Sequence, residues 1–298
     1  MLKALLSLLL ASTLHAAPMS QGDFAHKTTW DRDPILSLQP IPQIQEDIEV
    51  PEFSAGSVLA IDLNSGKILF EHNSETQRPI ASLTKLMTAL IIAEEELPGS
   101  VVEISANAAD MEGSTLWLNA GEEITVKDLM YGMMIASGND AAMALAEFNA
   151  GSMENFVRKM NQKADQLGLE NTNYSNPMGF DSGYNYSTAR DLALLSMYAL
   201  QNEFLMEPVD LVGYEIESKS GITHEYISTN QLLETDLGLN GVEVHGLKTG
   251  RTPDAGECLI SLSAFPENQQ IMTVVLGSED RFGDTEKLID WIYYSYNW

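Results

Sequence analysis

Strand-forming runs lie on both sides of a long helix-rich middle, and this arrangement constrains the fold of the 298-residue chain more than any other feature. Near the start of its body, Ser57 to Leu63 and Lys67 to Glu71 read as two strands joined by the turn residues Asn64-Ser65-Gly66. Near its end, Val244 to Thr249, Glu257 to Phe265 and Gln270 to Gly277 read as three more, followed by a helix from Asp284 to about Tyr296. Residues 95–205 are mostly helical in pattern, with Val126 to Ala136, Asp140 to Phe148, Met153 to Leu167 and Ala189 to Gln201 as helices. Thr188 and Asp191 form a capping box for the last of these. A further strand pair, Leu211 to Ser218 and Ile222 to Thr229, flanks the turn Lys219-Ser220-Gly221. Neither end alone has enough strands for a stable sheet. Both termini must therefore contribute to one antiparallel sheet with helices packed on it, an α+β fold with a largely helical middle subdomain.

Residues 1–16 carry Lys3, the apolar run Ala4 to Leu10 and small residues at Ala16-Ala17, the pattern of a secretory signal peptide. Export to a periplasmic or extracellular compartment is expected. Residues 17–50, with Pro18, Pro34, Pro40 and Pro42 and no sustained periodicity, read as an extended arm, and Trp30, Ile35, Leu36 and Leu38 are candidates to dock it on the domain formed by residues 51–298. No later segment is long and apolar enough for a membrane anchor. The single cysteine, Cys258, excludes an internal disulfide and reads as a small buried hydrophobe. A formal charge of -27 excludes nucleic acid and anionic lipid as partners, and Glu94-Glu95-Glu96 reads as a solvated face. The five histidines, His15, His26, His72, His224 and His245, lack paired ligand spacing, so no metal or other cofactor is expected.

Three short motifs carry chemistry. Ser82-Leu83-Thr84-Lys85 places a hydroxyl and an amine three residues apart at a helix start, on one face. A serine needs a base, and a lysine serves as one when burial or a neighbouring cation lowers its pKa. The Ser82 N–H, at a helix start, points where an oxyanion could develop. The plainer reading is an N-cap serine and a surface lysine. Ser137-Gly138-Asn139 sits at a helix break where glycine permits a tight turn; it reads either as a cap or as a polar wall that holds Lys85 and a substrate amide. In His245-Gly246-Leu247-Lys248-Thr249-Gly250-Arg251 a strand carries cations and a hydroxyl, with Gly250 allowing close approach of a substrate backbone. Lys248 and Arg251, side by side in an acidic chain, would draw in a carboxylate, and Lys248 near Lys85 would lower the pKa of the base.

Ser-x-x-Lys, Ser-Gly-Asn and Lys-Thr-Gly in this order resemble the penicillin-binding proteins and serine β-lactamases, and among them the low-molecular-mass D-alanyl-D-alanine carboxypeptidases. Arg78-Pro79-Ile80-Ala81, Asn176-Pro177-Met178-Gly179-Phe180-Asp181, Ser187-Thr188-Ala189-Arg190-Asp191 and Ala255-Gly256-Glu257-Cys258-Leu259 extend the likeness over residues 52–295. The resemblance implies the β-lactamase/transpeptidase-like fold, Ser82 as the residue acylated, Lys85 as general base, and Ser137 with Asn139 as aids to proton transfer and substrate placement. It implies that Lys248, Thr249, Gly250 and Arg251 bind the substrate end, the N–H groups of Ser82 and Arg251 forming the oxyanion hole. The expected substrates are peptidoglycan stem peptides ending in D-Ala-D-Ala, with β-lactams as inhibitors. The chain ends about fifty residues after Gly250, so a short form without the C-terminal β domain or stable membrane anchor of many relatives is expected. Alternatives are an endopeptidase of wall cross-links, a serine β-lactamase and a penicillin or wall-peptide receptor without turnover. A lactamase of the related class needs a water-activating glutamate, for which the nearest candidate is Glu170.

Overall fold

The computed structural model describes residues 41–45 and 48–298. Five strands form the main sheet: β1 (Ser57–Asp62), β2 (Ile68–His72), β3 (Glu243–Thr252), β4 (Gly256–Ala264) and β5 (Gln270–Ser278). Their order is β3-β4-β5-β1-β2, and every neighbouring pair is antiparallel. The joint between the two ends of the chain is the β5–β1 ladder, running from Ile271 opposite Asp62 to Leu276 opposite Ser57. The shared sheet expected from the sequence is therefore the one formed.

The helices of the body are α1 (Lys85–Glu95), α2 (Val126–Ile135), α3 (Asn139–Ala150), α4 (Met153–Leu167), α5 (Ala189–Ala199) and α6 (Arg281–Ser295). Every residue of β1 is buried, because both faces of the sheet are covered. Side chains alternate across a strand. Val58 and Ala60 thus join Ile271 and Val275 against Leu288, Ile289, Trp291 and Ile292 of α6. Leu59 and Ile61 join Ile260, Leu262 and Met272 in the larger core under the remaining helices. Full burial of Val58, Leu59 and Ile61 contributes about 1.5–3 kcal/mol each.

Two local expectations change. The stretch between α1 and α2 is not mainly helical: Val101–Glu103 pairs with Glu123–Thr125, and only Ala106–Ala109 between them forms a short helix. The β-branched residues Val101, Val102, Ile124 and Thr125 favour the pleated pairing over a helix. The capping box of α5 is half formed. Thr188 Oγ1 accepts from the Asp191 N–H at 3.0 Å, but the Asp191 carboxylate accepts from Asn171 N–H and Thr172 Oγ1 instead, at 2.8 and 2.7 Å.

Part of the proline-rich arm docks through its backbone: Gln43–Ile44 pairs with Tyr296–Asn297, and Lys67 Nζ donates to the Pro42 carbonyl at 2.5 Å. Trp30, Ile35, Leu36 and Leu38, and the expected export signal, lie outside the described residues. Of the acidic run, Glu94 and Glu95 are exposed yet paired, with Lys163 and Lys159. Among the described residues no helix is long and apolar enough to cross a membrane. Cys258 is buried in the core.

Asp284 fastens the two ends together. Its buried carboxylate accepts from Ser54 N–H and Oγ, Ala55 N–H and Ser278 Oγ at 2.7–3.2 Å, joining the entry to β1, the end of β5 and the first turn of α6. Burial pushes its pKa up, but the hydrogen bonds of Ser54 and Ser278 outweigh this and hold it below the ordinary value. Asp284→Ala leaves buried donors unpaired and should cost about 3 kcal/mol, a fall in Tm of roughly 6–12 °C in thermal melts at neutral pH. Because the folded-state pKa is the lower one, this contribution is complete above the ordinary carboxylate range and is lost as pH falls through the folded value. The difference in Tm between the native chain and the variant should therefore shrink in acid.

Candidate active site

Ser82 lies in a 3-10 turn, Ala81–Thr84, that runs into α1 at Lys85. Residues three apart eclipse in such a turn, so Ser82 and Lys85 share a face more closely than in an α-helix. Lys85 Nζ lies 2.9 Å from Ser82 Oγ, 2.7 Å from Asn139 Oδ1 and 2.7 Å from the Met178 carbonyl. Lys85 is completely buried, whereas Ser82 is half-buried and reachable. Among the described residues no carboxylate contacts the amine. Burial first, and the charge of Lys248 second, lower its pKa well below that of an ordinary lysine, against a smaller opposing pull from Asp140.

For the neutral amine that this environment favours, valence assigns the roles around Nζ. Asn139 Nδ2 donates to the Glu112 carbonyl at 2.6 Å, which turns Oδ1 toward the amine. Oδ1 and the Met178 carbonyl can only accept. A neutral amine has two N–H groups for them and one lone pair left, which faces the Ser82 hydroxyl. The Asn176-Pro177-Met178-Gly179-Phe180 run builds the second acceptor: Asn176 Oδ1 accepts from the N–H groups of Met178, Gly179 and Phe180 at 2.7–3.2 Å. Gly179, at φ +94, lies so close to Ala81 that a Cβ would come within 1.9 Å of the Ala81 carbonyl oxygen. Ala81 is itself at φ +47, a conformation an L-residue seldom adopts, immediately before Ser82.

The Ser137-Gly138-Asn139 loop differs from its sequence reading. The left-handed residue is Ser137, at φ +62, while Gly138 has an ordinary φ of -56. Glycine is needed there for space: a Cβ on Gly138 would meet the Leu116 side chain at 2.5 Å. Ser137 does not cap α3, and its buried Oγ has no hydrogen-bond partner among the described residues. Sequence reasoning missed Asp140, whose buried carboxylate accepts from the N–H groups of Leu116 and Leu118 at 2.8 and 3.2 Å. Its position directly after Ser-Gly-Asn was the available signal.

On β3, Lys248 is buried and Arg251 is mostly exposed. Strand alternation puts them on opposite faces, and Arg251 turns toward Glu257 at 3.7 Å, so the two are not side by side as expected. The second cation near Lys248 is Arg281, whose Nη1 donates to the Gly250 carbonyl at 3.0 Å. Burial and then Arg281 push the Lys248 pKa down to about 7. A Cβ on Gly250 would lie 2.9 Å from the Ser82 backbone nitrogen, so the close approach that needs glycine here is by the chain's own Ala81-Ser82 segment. Thr249 Oγ1 meets Thr229 Oγ1 at 2.5 Å, and the Thr229 N–H donates to the Ile135 carbonyl at the end of α2 at 3.1 Å. Thr229 therefore couples β3 to the Ser137 loop; no local sequence signal marked it or Arg281. Glu170 is exposed beside Asp191, beyond the end of α4.

The geometry brings Ser82, Lys85 and Asn139 together and sets β3 against the Ser82 backbone. A family model described as D-alanyl-D-alanine carboxypeptidase matches residues 44–280. The chain is 37% identical over 250 residues to the D-alanyl-D-alanine carboxypeptidase DacF of Bacillus subtilis, covering 81% of this chain and 63% of that protein. It thus spans less than two thirds of this relative's length. It is 32% identical over 252 residues to the D-alanyl-D-alanine endopeptidase of Escherichia coli, covering 81% of this chain and 78% of that one. A solved DD-transpeptidase from Streptomyces superposes with a TM-score of 0.75 at 29% identity, over 83% of this chain and all of that one.

Asp140→Ala should free the loop at residues 112–118 without unfolding the sheet. Two backbone donors of that loop lose their acceptor, and so does the Ala141 N–H, a destabilisation of about 2–4 kcal/mol. Hydrogen exchange at the Leu116 and Leu118 amides should accelerate far more than exchange in β1 or β5.

Proposed function

The chain belongs to the D-alanyl-D-alanine carboxypeptidase family, and from that premise we propose that it is an exported serine hydrolase that removes the terminal D-alanine from peptidoglycan stem peptides. In this reading residues 1–16 are the export signal, residues 17–50 an arm, and residues 51–298 the catalytic domain. The observation that carries the chemistry is the hydrogen bonding of Lys85. Held neutral by burial and by the charge of Lys248, an amine with two obligate acceptors and one hydroxyl neighbour is a base aimed at Ser82.

In the first step Ser82 Oγ attacks the carbonyl carbon between the two D-alanines while its proton passes to Lys85 Nζ. The carbonyl oxygen becomes an oxyanion, held by the N–H groups of Ser82 and Arg251. The C–N bond then breaks, the leaving nitrogen takes the proton with help from Ser137 and Asn139, and D-alanine departs from the Ser82 ester. Water, deprotonated by the same amine, hydrolyses the ester. Lys248, Thr249 and the Gly250 backbone receive the terminal carboxylate; Lys248 is buried with its Nζ on the Thr249 carbonyl and, among the described residues, no carboxylate partner, which suits it to that ligand. Benzylpenicillin would acylate Ser82 by the same attack on its strained amide. Exposure of Glu170 outside this cluster counts against the lactamase alternative. Similarity to an endopeptidase keeps cross-linked wall peptides as a second substrate class.

Incubation with an uncross-linked pentapeptide, a cross-linked dimer and a chromogenic cephalosporin separates the readings. Free D-alanine from the pentapeptide is expected, together with one penicilloyl adduct on Ser82 by mass spectrometry. Consumption of the dimer alone would make the chain an endopeptidase, rapid turnover of the cephalosporin alone a lactamase, and an adduct without any turnover a receptor.

The pH profile follows from the two amines. kcat/KM should fall in acid as Lys85 takes up a proton, and should fall again as pH rises through about 7, where free Lys248 loses its charge. Bound carboxylate stabilises charged Lys248, so the alkaline limb should move upward in kcat. Lys248→Arg, which stays charged, should remove that limb from kcat/KM; persistence of the limb near 7 would refute the assignment.

A further inference from the structure

Residues 176–181 support more of the site than its base. Within this run the Asn176 carboxamide gathers the loop, the Met178 carbonyl accepts from Lys85, and Gly179 seats against Ala81, the residue before Ser82. The last residue of the run faces the other way, toward the end of β3. Asp181 Oδ1 accepts from Thr252 Oγ1 at 2.5 Å, and Asp181 Oδ2 accepts from the Asp254 N–H at 3.1 Å. Thr252 Oγ1 in turn accepts from the Ala255 N–H at 3.2 Å. Carboxylate and hydroxyl together tie the turn that joins β3 to β4, and an ionised acceptor makes each of its bonds stronger than a neutral one would.

That turn begins directly after Arg251, whose N–H is the second donor to the oxyanion in the proposed reaction. β3 is an edge strand, paired on one side with β4, and the pairing ends at Thr252 opposite Gly256. The Arg251 side chain is a weak anchor, mostly exposed and 3.7 Å from Glu257. Asp181 holds the strand end from across the site. An oxyanion donor favours the transition state over the ground state only where it meets the charge as it develops. The distance from the Arg251 N–H to Ser82 must therefore be fixed, and residues 176–181 touch the structure on both sides of it.

We propose that Asp181 is a positioning residue for the oxyanion site. By joining the turn after Arg251 to the run that carries Met178 and Gly179, it makes base, nucleophile and second oxyanion donor one rigid unit. Asp181 itself touches no reacting atom. The assignment deepens the peptidase reading and rests on it.

Two variants test it: Asp181→Ala removes both acceptor oxygens, and Asp181→Asn keeps one. Because Asp181 is exposed, Tm should stay near the native value in both. For D-alanine release from the pentapeptide, kcat should fall about ten- to hundredfold in Asp181→Ala with KM little changed, the cost of a donor misplaced by about 1 Å or less. Asp181→Asn should recover part of that loss. A peptidyl boronic acid, which forms a tetrahedral adduct on Ser82 with an oxygen where the oxyanion develops, should lose affinity in Asp181→Ala by the same factor. Calorimetric affinity for the pentapeptide itself, read in the Ser82→Ala background with and without Asp181→Ala, should not change. An unaltered kcat in Asp181→Ala, or boronate and peptide affinities that fall together, overturns the assignment. Selective loss of boronate affinity, in a chain whose native form releases no D-alanine, upholds the positioning role and refutes the peptidase. D-alanine release that is equal in the native chain and Asp181→Ala does the reverse.

Discussion

A primary amine enclosed by protein without a carboxylate partner is costly as a cation and tolerable as a free base. The structure around Lys85 is organised by that difference. Two oxygens that can only accept occupy its two N–H groups, and each is held from behind: Asn139 by the Glu112 carbonyl, Met178 by the loop that Asn176 gathers. The position left over is filled by a hydroxyl that can turn its proton toward the nitrogen. In the proposed function, the reactivity of Ser82 is thus a property of the shell, set before any ligand arrives.

That shell comes from three places far apart in the chain, and tight contacts hold them in register. Gly179 rests on Ala81, Gly250 faces the Ser82 nitrogen, and Gly138 clears Leu116. Thr229 links the strand that carries Lys248 and Thr249 to the end of α2, from which the Ser137 loop departs. Displacing any of these segments by the width of a methyl group would move a reacting atom, which explains why strained backbone at Ala81 and Ser137 persists beside them.

Much of this was legible beforehand, and the parts that were not share a cause. Periodicity and turn residues placed the sheet strands and the main helices, because those elements bury a face and so repeat their pattern. Of the three motifs, the fold brings Ser82, Lys85 and Asn139 into contact and sets Lys248 near enough for its charge to act on Lys85. Arg251 was misplaced because adjacency in sequence was taken for adjacency in space, whereas a strand sends residues three apart to opposite sides. Arg281 is the cation that does adjoin Lys248, and it reaches the site from the first residue of α6. Asp140, Thr229 and Arg281 act through a few long-range hydrogen bonds each, which leave no period in a sequence. Between α1 and α2 the β-branched residues were outweighed by the helical character of their surroundings.

The ladder between β5 and β1 has a consequence for how the molecule comes into being. Asp62 meets a partner, Ile271, made more than two hundred residues later. At ordinary rates of synthesis the first strand waits roughly ten seconds or more for it. Contacts so distant in the chain make for slow closure, so a nascent polypeptide has no way to lock its central layer early. It remains threadable for as long as its tail is unfinished, a useful condition for any protein that must pass through a pore before it works.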